Sequence, residues 1–178
     1  MACLHIPDSF ICAGGESNTY YLDKAIRLPK NGSVIDLPGL PTPKGWFPLA
    51  FRKTTSSVIT VGGKSGQELC ECNYLSLTRL TWISLPDLSN PMSDRAACVV
   101  KPDCLCVFGG NPFNTSRGVE ILNFIKLPLR WVVADIGNSF FEKRYNDHTA
   151  VIGEGSLIVV FGSKNGKNLW EIEANLED

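Results

Sequence analysis

Four segments of this chain run from an apolar stretch into a pair of glycines or its near equivalent, and they recur at almost constant intervals. They read FICAGG, VITVGG, CLCVFGG and LIVVFGS, and they end at Gly15, Gly63, Gly110 and Ser163. The successive intervals are 48, 47 and 53 residues. A period of roughly 50 residues indicates a repeat architecture, in which each unit buries its apolar faces against its neighbours.

Each glycine pair follows two apolar runs that are joined by a short polar turn. Residues 1–15 align with 96–110 without a gap, and residues 48–63 and 148–163 have the same order of apolar run, turn, apolar run and glycine. Such runs with Pro-Asp or Gly-Glu-Gly between them predict a β-hairpin in each unit. Further β-rich segments predict third strands at 19–24, 69–77, 118–124 and 168–173, and fourth strands at 33–38, 80–86 and 129–135.

The pattern predicts an all-β fold built from four units of four-stranded antiparallel sheet, the last of them incomplete. The predicted units are 1–45, 46–92, 93–145 and 146–178. Near-continuous apolar runs such as LIVVF are typical of strands that are covered on both faces. Glycines supply positive φ and allow close backbone approach. This assigns a structural role to Gly14, Gly15, Gly62, Gly63, Gly109, Gly110 and Gly162.

The units resemble the kelch repeat of β-propellers, which opens with Arg or His, ends its second strand in Gly-Gly, and carries Tyr and Trp in its third and fourth strands. Unit two matches with Gly62-Gly63, Tyr74 and Trp82. Unit three matches with Arg95, Gly109-Gly110 and Trp131, and unit four with His148 and Gly162. Three positions depart from the pattern: unit one has no fourth-strand Trp, and Leu122 and Ser163 replace Tyr and Gly.

The resemblance implies a kelch-type propeller, but the number of units is small for one. Propellers close with roughly 4–8 blades, and this chain supplies three full units and a partial fourth. An open array exposes apolar sheet faces and strand edges. We therefore consider an excerpt of a longer propeller, self-association that completes the ring, and a four-bladed ring. A β-sandwich with glycine-rich turns is the alternative fold.

Composition narrows the class of partner. The formal net charge is −1, so no basic field favours nucleic acid or anionic lipid.

The N-terminus MACLHIPDSF has neither a basic start nor a long apolar core, and no apolar run approaches the roughly 20 residues of a membrane helix. Without a secretion signal, seven cysteines indicate free thiols in a reducing compartment. We expect a cytoplasmic protein.

Two C-x-C pairs, Cys70/Cys72 and Cys104/Cys106, raise the question of a zinc site. Residues i and i+2 share a strand face, so four thiolates on facing sheets could surround zinc. Zinc-binding pairs usually have wider spacing, however, and cysteine is a common small core residue. We interpret both pairs as core and predict no metal or cofactor.

The chain offers few candidates for a catalytic acid or base, since it has two histidines, His5 and His148. Some kelch-like propellers are enzymes, among them copper galactose oxidase, whose ligands are histidines and tyrosines. His148 matches a repeat position and His5 falls in a predicted strand, which favours structural roles. We predict no catalytic activity, and we interpret the four tryptophans as packing residues between blades.

The resemblance implies a protein-binding module. Kelch propellers commonly hold partners on the face made by the β2–β3 and β4–β1 loops. The positions that map there form a predicted ring for an acidic or polar peptide: Lys64, Arg95, Asn111, His148 and Lys164. The alternatives are a propeller enzyme of the galactose-oxidase or sugar-epimerase type, and the substrate receptor of a ubiquitin ligase whose BTB or F-box segment is not in this sequence.

Overall fold

The computed structural model describes residues 1–101, 103–111, 119–134, 149–152, 157–161 and 169–173. Within these residues the secondary structure is antiparallel β-sheet, with a single 3-10 turn at Lys53–Thr55 and no α-helix. The predicted all-β class is confirmed.

Four antiparallel sheets follow one another along the described chain, and in each sheet the neighbouring strands are consecutive apart from one small inserted hairpin. The first sheet contains β1 (Ala2–Ile6), β2 (Ser9–Ala13), β3 (Ala25–Pro29) and β4 (Ile35–Leu37). The second contains β5 (Leu49–Arg52), β6 (Ser57–Val61), β9 (Cys72–Ser76) and β10 (Thr81–Ser84), with the small hairpin of β7 (Lys64–Ser65) and β8 (Gln67–Glu68) inserted after β6.

The third sheet contains β11 (Ser93–Lys101), β12 (Cys104–Asn111), β13 (Val119–Asn123) and β14 (Trp131–Ala134), and the fourth contains β15 (Thr149–Ile152), β16 (Leu157–Phe161) and β17 (Leu169–Glu173). Each sheet lies within one of the predicted units. None of these sheets closes on itself in the described residues, so each has two edge strands.

One predicted strand is wrong. The third strand of the first sheet is Ala25–Pro29 rather than 19–24. The reason is the register of the sheet, in which Ala13 pairs with Ala25 and Cys12 with Ile26. The tyrosines that suggested a strand instead lie in a loop, where Tyr20 is 59% exposed.

The sheets are stacked so that their first strands are neighbours. Strand β1 lies beside β5, β5 beside β11, and β11 beside β15. The second sheet therefore presents one face to the first sheet and the other to the third.

The second sheet shows how the alternation of side chains serves this stacking. Along β5, Leu49 joins the apolar cluster shared with the first sheet, and Ala50 joins the cluster shared with the third. Along β6, Val58 belongs to the first cluster and Ile59 to the second, and all five residues of the strand are buried. Because successive side chains point to opposite faces, a strand covered on both sides needs apolar residues on both faces, and its buried hydroxyls at Ser57 and Thr60 need hydrogen-bond partners, which Thr55 and Asn73 supply.

The outer strands are tied to the preceding sheet by tryptophan. The indole Nε1 of Trp82 donates to the carbonyl of Pro38 at 3.0 Å, and that of Trp131 donates to Pro86 at 2.8 Å. Pro38 directly follows β4 and Pro86 lies shortly after β10. Both indoles are half-buried, so a Trp in the fourth strand anchors each junction at its rim.

Candidate functional site

The glycine pairs form turns with the same backbone shape in the first two sheets. Gly14 and Gly15 have φ of 57° and 121°, and Gly62 and Gly63 have φ of 58° and 110°. A side chain at Gly14 would press against the Lys44 carbonyl, and one at Gly62 against the Met92 carbonyl. Positive φ and close approach together require glycine at both positions.

Each glycine turn is held by the chain segment that leads into the next sheet. The Gly15 amide donates to the Lys44 carbonyl at 2.9 Å, and the Gly63 amide donates to the Met92 carbonyl at 2.9 Å. In return, the amide of Lys44 donates to Leu22 at 3.2 Å and that of Met92 to Leu69 at 3.0 Å. Lys44 and Met92 are therefore equivalent residues of two successive junctions.

Lys44 is fully buried and forms an ion pair at this junction. Its Nζ lies 3.1 Å from Glu71 Oε1 and 5.5 Å from the centroid of the Phe47 ring. Glu71 also accepts hydrogen bonds from the Thr42 hydroxyl at 2.6 Å and the Asn73 amide at 2.6 Å. The pair joins the segment after the first sheet to the loop before β9, so its charges are satisfied across the junction.

Burial and the ion pair act on the two groups differently. Burial lowers the pKa of Lys44, and the nearby Glu71 carboxylate opposes that shift without cancelling it. Burial by itself raises the pKa of Glu71, but the hydrogen bonds from Thr42, Lys44 and Asn73 and the Lys44 charge outweigh it, so that the net shift is downward. The carboxylate form of Glu71 is therefore the form that the fold stabilises.

An aromatic and charged surface lies on the same end of the molecule, directly after Lys44. Trp46 is 54% exposed, has φ of 57°, and donates from Nε1 to Glu16 Oε2 at 2.6 Å. Left-handed backbone is strained for a bulky residue, so the surrounding contacts must enforce it. Exposed aromatics with polar atoms are enriched among residues that dominate binding interfaces.

Neighbouring residues extend this patch across the first two sheets. The backbone of Gly45 pairs with Lys64 in both directions, at 3.0 and 2.8 Å. A Cβ placed on Gly45 would lie 3.5 Å from the Tyr21 ring. Glu16 and Tyr21 are bridged across their loop, and Tyr20 is 59% exposed beside them. We call the group of Glu16, Tyr20, Tyr21, Trp46 and Lys64 the Trp46 surface.

The structure describes only part of the predicted ring of partner-binding residues. Lys64 begins strand β7 at the edge of the Trp46 surface and is half-buried. Arg95 pairs with Gly109 and Ser93 pairs with Asn111, which brings Arg95 and Asn111 to the same end of the β11–β12 hairpin. Their side chains, and all of His148, Lys164 and Gly162, lie outside the described residues. The ring therefore stays a prediction.

The other predicted structural residues lie at or near the junctions. Gly109 and Gly110 lie within β12, since that strand continues to Asn111.

Tyr74 borders a cavity of about 140 Å³ between the second and third sheets. The Arg52 guanidinium reaches across this cavity to pair with Asp103, and it lies 4.3 Å from the centroid of the Phe124 ring.

The cysteines of the two C-x-C pairs lie within the sheets. Cys72, Cys104 and Cys106 are buried and Cys70 is half-buried. Burial, the largest influence, raises the pKa of the Cys72 thiol to about 12. Among the described residues, no group of three or more His, Cys, Asp or Glu side chains is arranged to hold a metal ion. His5 contacts the Phe10 ring at a centroid distance of 4.9 Å.

Sequence reasoning missed two features of the site. Trp46 was assigned to packing between blades, which is wrong because its side chain is exposed. Its spacing from Trp82, 36 residues against 49 between Trp82 and Trp131, was a signal that it occupies another position in the unit. The Lys44–Glu71 pair carries no such signal, because its partners are 27 residues apart and meet through the stacking of sheets.

Comparisons with known proteins do not assign the chain to a family. No protein-family model matches the chain, and no curated protein matches it significantly. The part of the chain that the structure describes contains no helix with the length and apolar character of a membrane span.

Proposed function

We propose that this chain is a kelch-type β-propeller module that binds another protein or peptide through the Trp46 surface. The stacking of the sheets supports the propeller. Neighbouring first strands are what a radial array of blades requires, since the innermost strands of a propeller surround a common axis. The repeated glycine turns and Trp-to-Pro hydrogen bonds supply the same contacts at two successive junctions.

The observation that carries the binding function is the exposed Trp46 in a strained backbone conformation. A tryptophan in solvent leaves a large apolar area uncovered, and positive φ adds a further cost. The buried Lys44–Glu71 pair and the Gly45–Lys64 backbone ladder keep the segment rigid. A rigid aromatic loses little conformational entropy when a partner covers it, which is the character of an interface hot spot.

The charges around Trp46 suggest what the partner presents. Glu16 is engaged by the indole, while Lys64 offers a cation at the edge of the patch. An acidic or polar peptide can place a carboxylate near Lys64 and an apolar side chain on Trp46. This function needs only loops on a rigid body and no catalytic group.

A selection from a random displayed-peptide library against the purified chain tests the proposal. Selected peptides should bind with micromolar affinity and carry an acidic residue near an apolar one. Trp46→Ala and Lys64→Glu should each weaken binding at least about tenfold, which corresponds to about 1.4 kcal/mol. Phe10→Ala is the matched control, because Phe10 is also an exposed aromatic but lies outside the Trp46 surface.

Two results would overturn the proposal. One is a selection that enriches no peptide above the library background. The other is a set of peptides that bind Trp46→Ala as tightly as the unaltered chain. Thermal unfolding of each variant shows that lost binding does not come from lost folding.

A further inference from the structure

Two cysteines face each other in the first hairpin. Cys3 on β1 and Cys12 on β2 are direct cross-strand partners. Their Sγ atoms lie 3.0 Å apart, and both thiols are free. Directly opposed residues of antiparallel strands have Cα atoms about 4.5 or 5.5 Å apart, and both values fall within the range of about 4.4–6.8 Å that a disulfide spans. The backbone is therefore already placed for a covalent bond.

The pair lies on the face of the first sheet that points away from the second. Leu4 and Ile11, the next partners along the hairpin, pack in the cluster between the two sheets. Because side chains alternate between faces, Cys3 and Cys12 share the opposite face with His5 and Phe10. Oxidation on this face does not need to open the junction between sheets.

The two thiols differ in accessibility. Cys3 is exposed, while Cys12 is buried with 7% of its surface accessible. Burial, followed by the hydrogen bond and charge of Cys3, raises the pKa of Cys12 to about 11. Cys3 is thus the thiol that a dissolved oxidant meets first. Once Cys3 carries a mixed disulfide, its sulfur lies directly opposite Cys12, which is the arrangement that the second exchange step requires.

We propose that Cys3 and Cys12 form a reversible disulfide by exchange with a low-molecular-weight disulfide such as oxidised glutathione. The Cys3 thiolate attacks one sulfur of oxidised glutathione, which forms a mixed disulfide and releases one glutathione thiolate. The Cys12 thiolate then attacks the Cys3 sulfur and releases the second glutathione. The protein loses two hydrogen atoms and two electrons, and one oxidised glutathione becomes two reduced molecules.

The remaining cysteines provide a contrast within the same chain. Cys72, Cys104 and Cys106 are buried in the sheets, so dissolved glutathione does not reach them in the folded protein. Cys98 is the register partner of Cys106 in the third sheet, and its side chain lies outside the described residues. Peptide mapping must therefore distinguish the first hairpin from the third.

The test is to equilibrate the folded chain with a series of oxidised-to-reduced glutathione ratios, block the remaining thiols with iodoacetamide, and measure the mass. Cleavage before Asp8 separates Cys3 from Cys12, whereas the first Lys or Arg is Lys24, so trypsin leaves both on one peptide. We expect a protein that has lost two hydrogens and a cross-linked pair of peptides containing residues 3 and 12. Excess reductant should restore both thiols.

Single variants separate the two steps. Cys12→Ser should stop at one glutathione attached to Cys3, and Cys3→Ser should leave Cys12 unmodified at the same ratio. Cys70→Ser is the control and should form the cross-link like the unaltered chain. A stable glutathione adduct on Cys3 without the cross-link, or a cross-link that maps to Cys98 and Cys106 instead, overturns the proposal, as does the persistence of both free thiols. Peptide binding at the Trp46 surface does not enter this readout.

Discussion

The junction between the first and second sheets and the junction between the second and third share one backbone scheme but bury different side chains. In both, the second glycine donates to a carbonyl of the connecting segment at 2.9 Å. That carbonyl belongs to Lys44 in one junction and to Met92 in the other, and both side chains are buried. The first junction holds its charge beside the glycine turn, and the second pairs Arg52 with Asp103 at the opposite end of the hairpins.

This difference shows which part of a repeat the fold demands. The hydrogen bonds and the glycine turns recur because the buried amides of the second glycines need acceptors, and the connecting segment supplies one at each junction. The side chain at the Lys44 position is free to be ionic or apolar, provided that its own surroundings satisfy it. A buried ammonium needs Glu71, whereas a thioether needs only apolar neighbours.

The largest effect should come from filling the glycine turns. Gly14→Ala places a methyl group 2.6 Å from the Phe47 ring and against the Lys44 carbonyl, at a φ of 57°. Overpacking and left-handed backbone together should cost about 2–5 kcal/mol, measured as the free energy of unfolding in urea. Gly62→Ala should cost a similar amount, since the two turns have the same shape.

Gly66→Ala is the matched control for both turns. Its φ is 77°, but nothing lies within 4 Å of an added Cβ. The backbone conformation alone should cost about 1–2 kcal/mol. If Gly14→Ala cost no more than Gly66→Ala, close packing of the turn would not be what requires glycine.

The second prediction separates the ionic junction from the apolar one. Glu71→Gln removes the charge that compensates the buried Lys44 ammonium and should destabilise the fold by about 1.5–3 kcal/mol. Lys44→Met copies the residue of the next junction and should change stability by less than about 1.5 kcal/mol, because Glu71 keeps Thr42 and Asn73 and is 30% exposed. Urea unfolding at neutral pH measures both.

The Glu71 effect should also depend on pH. The folded pKa of Glu71 lies below its ordinary value of 4.5. Its contribution is therefore complete above pH 4.5 and is lost as the pH falls through the folded pKa, where the folded carboxylate takes up a proton. The gap in stability between the unaltered chain and Glu71→Gln should shrink in acid. A gap that stays constant from neutral pH into acid would assign the effect to shape rather than charge.

The smallest losses of stability should come from the tryptophans at the rim of the two junctions, and the two losses should be equal. Trp82→Phe and Trp131→Phe each remove one hydrogen bond to a proline carbonyl. Each should cost about 0.5–1.5 kcal/mol in the free energy of unfolding. Trp46→Phe should cost less than about 0.5 kcal/mol, since its side chain and its contact with Glu16 are exposed. A large loss from Trp46→Phe would mean that Trp46 supports the fold.

Much of the sheet structure could be predicted from the sequence, and the failures have physical causes. The hairpins and the outer strands around Trp82 and Trp131 are local, because a turn and an apolar run specify them. The third strand of the first sheet was misplaced because Tyr20 and Tyr21 have high β-propensity, while pairing with Ala13 and Cys12 selected Ala25 and Ile26 instead. Pairing with a neighbouring strand overrides the β-propensity of a segment when that pairing sets the register.

The candidate site was less predictable than the fold. The place of Lys64 after a glycine pair predicts that it lies on the binding face, and this stays a prediction; the structure shows its backbone paired with Gly45, next to Trp46. Nothing local indicated that Trp46 would be exposed or that Lys44 would be buried against Glu71. These properties depend on which segments meet between stacked sheets.

The sequence by itself determined the all-β class, the spacing of the sheets and the glycine turns at Gly14-Gly15 and Gly62-Gly63, because periodicity, turn chemistry and positive φ act over a few residues. The tertiary structure alone decided which face of each strand meets which neighbour, and with it the burial of Lys44, the exposure of Trp46 and the approach of Cys3 to Cys12. Burial and contact between distant segments arise only when sheets pack, and a one-dimensional pattern does not encode which surface of a unit remains uncovered.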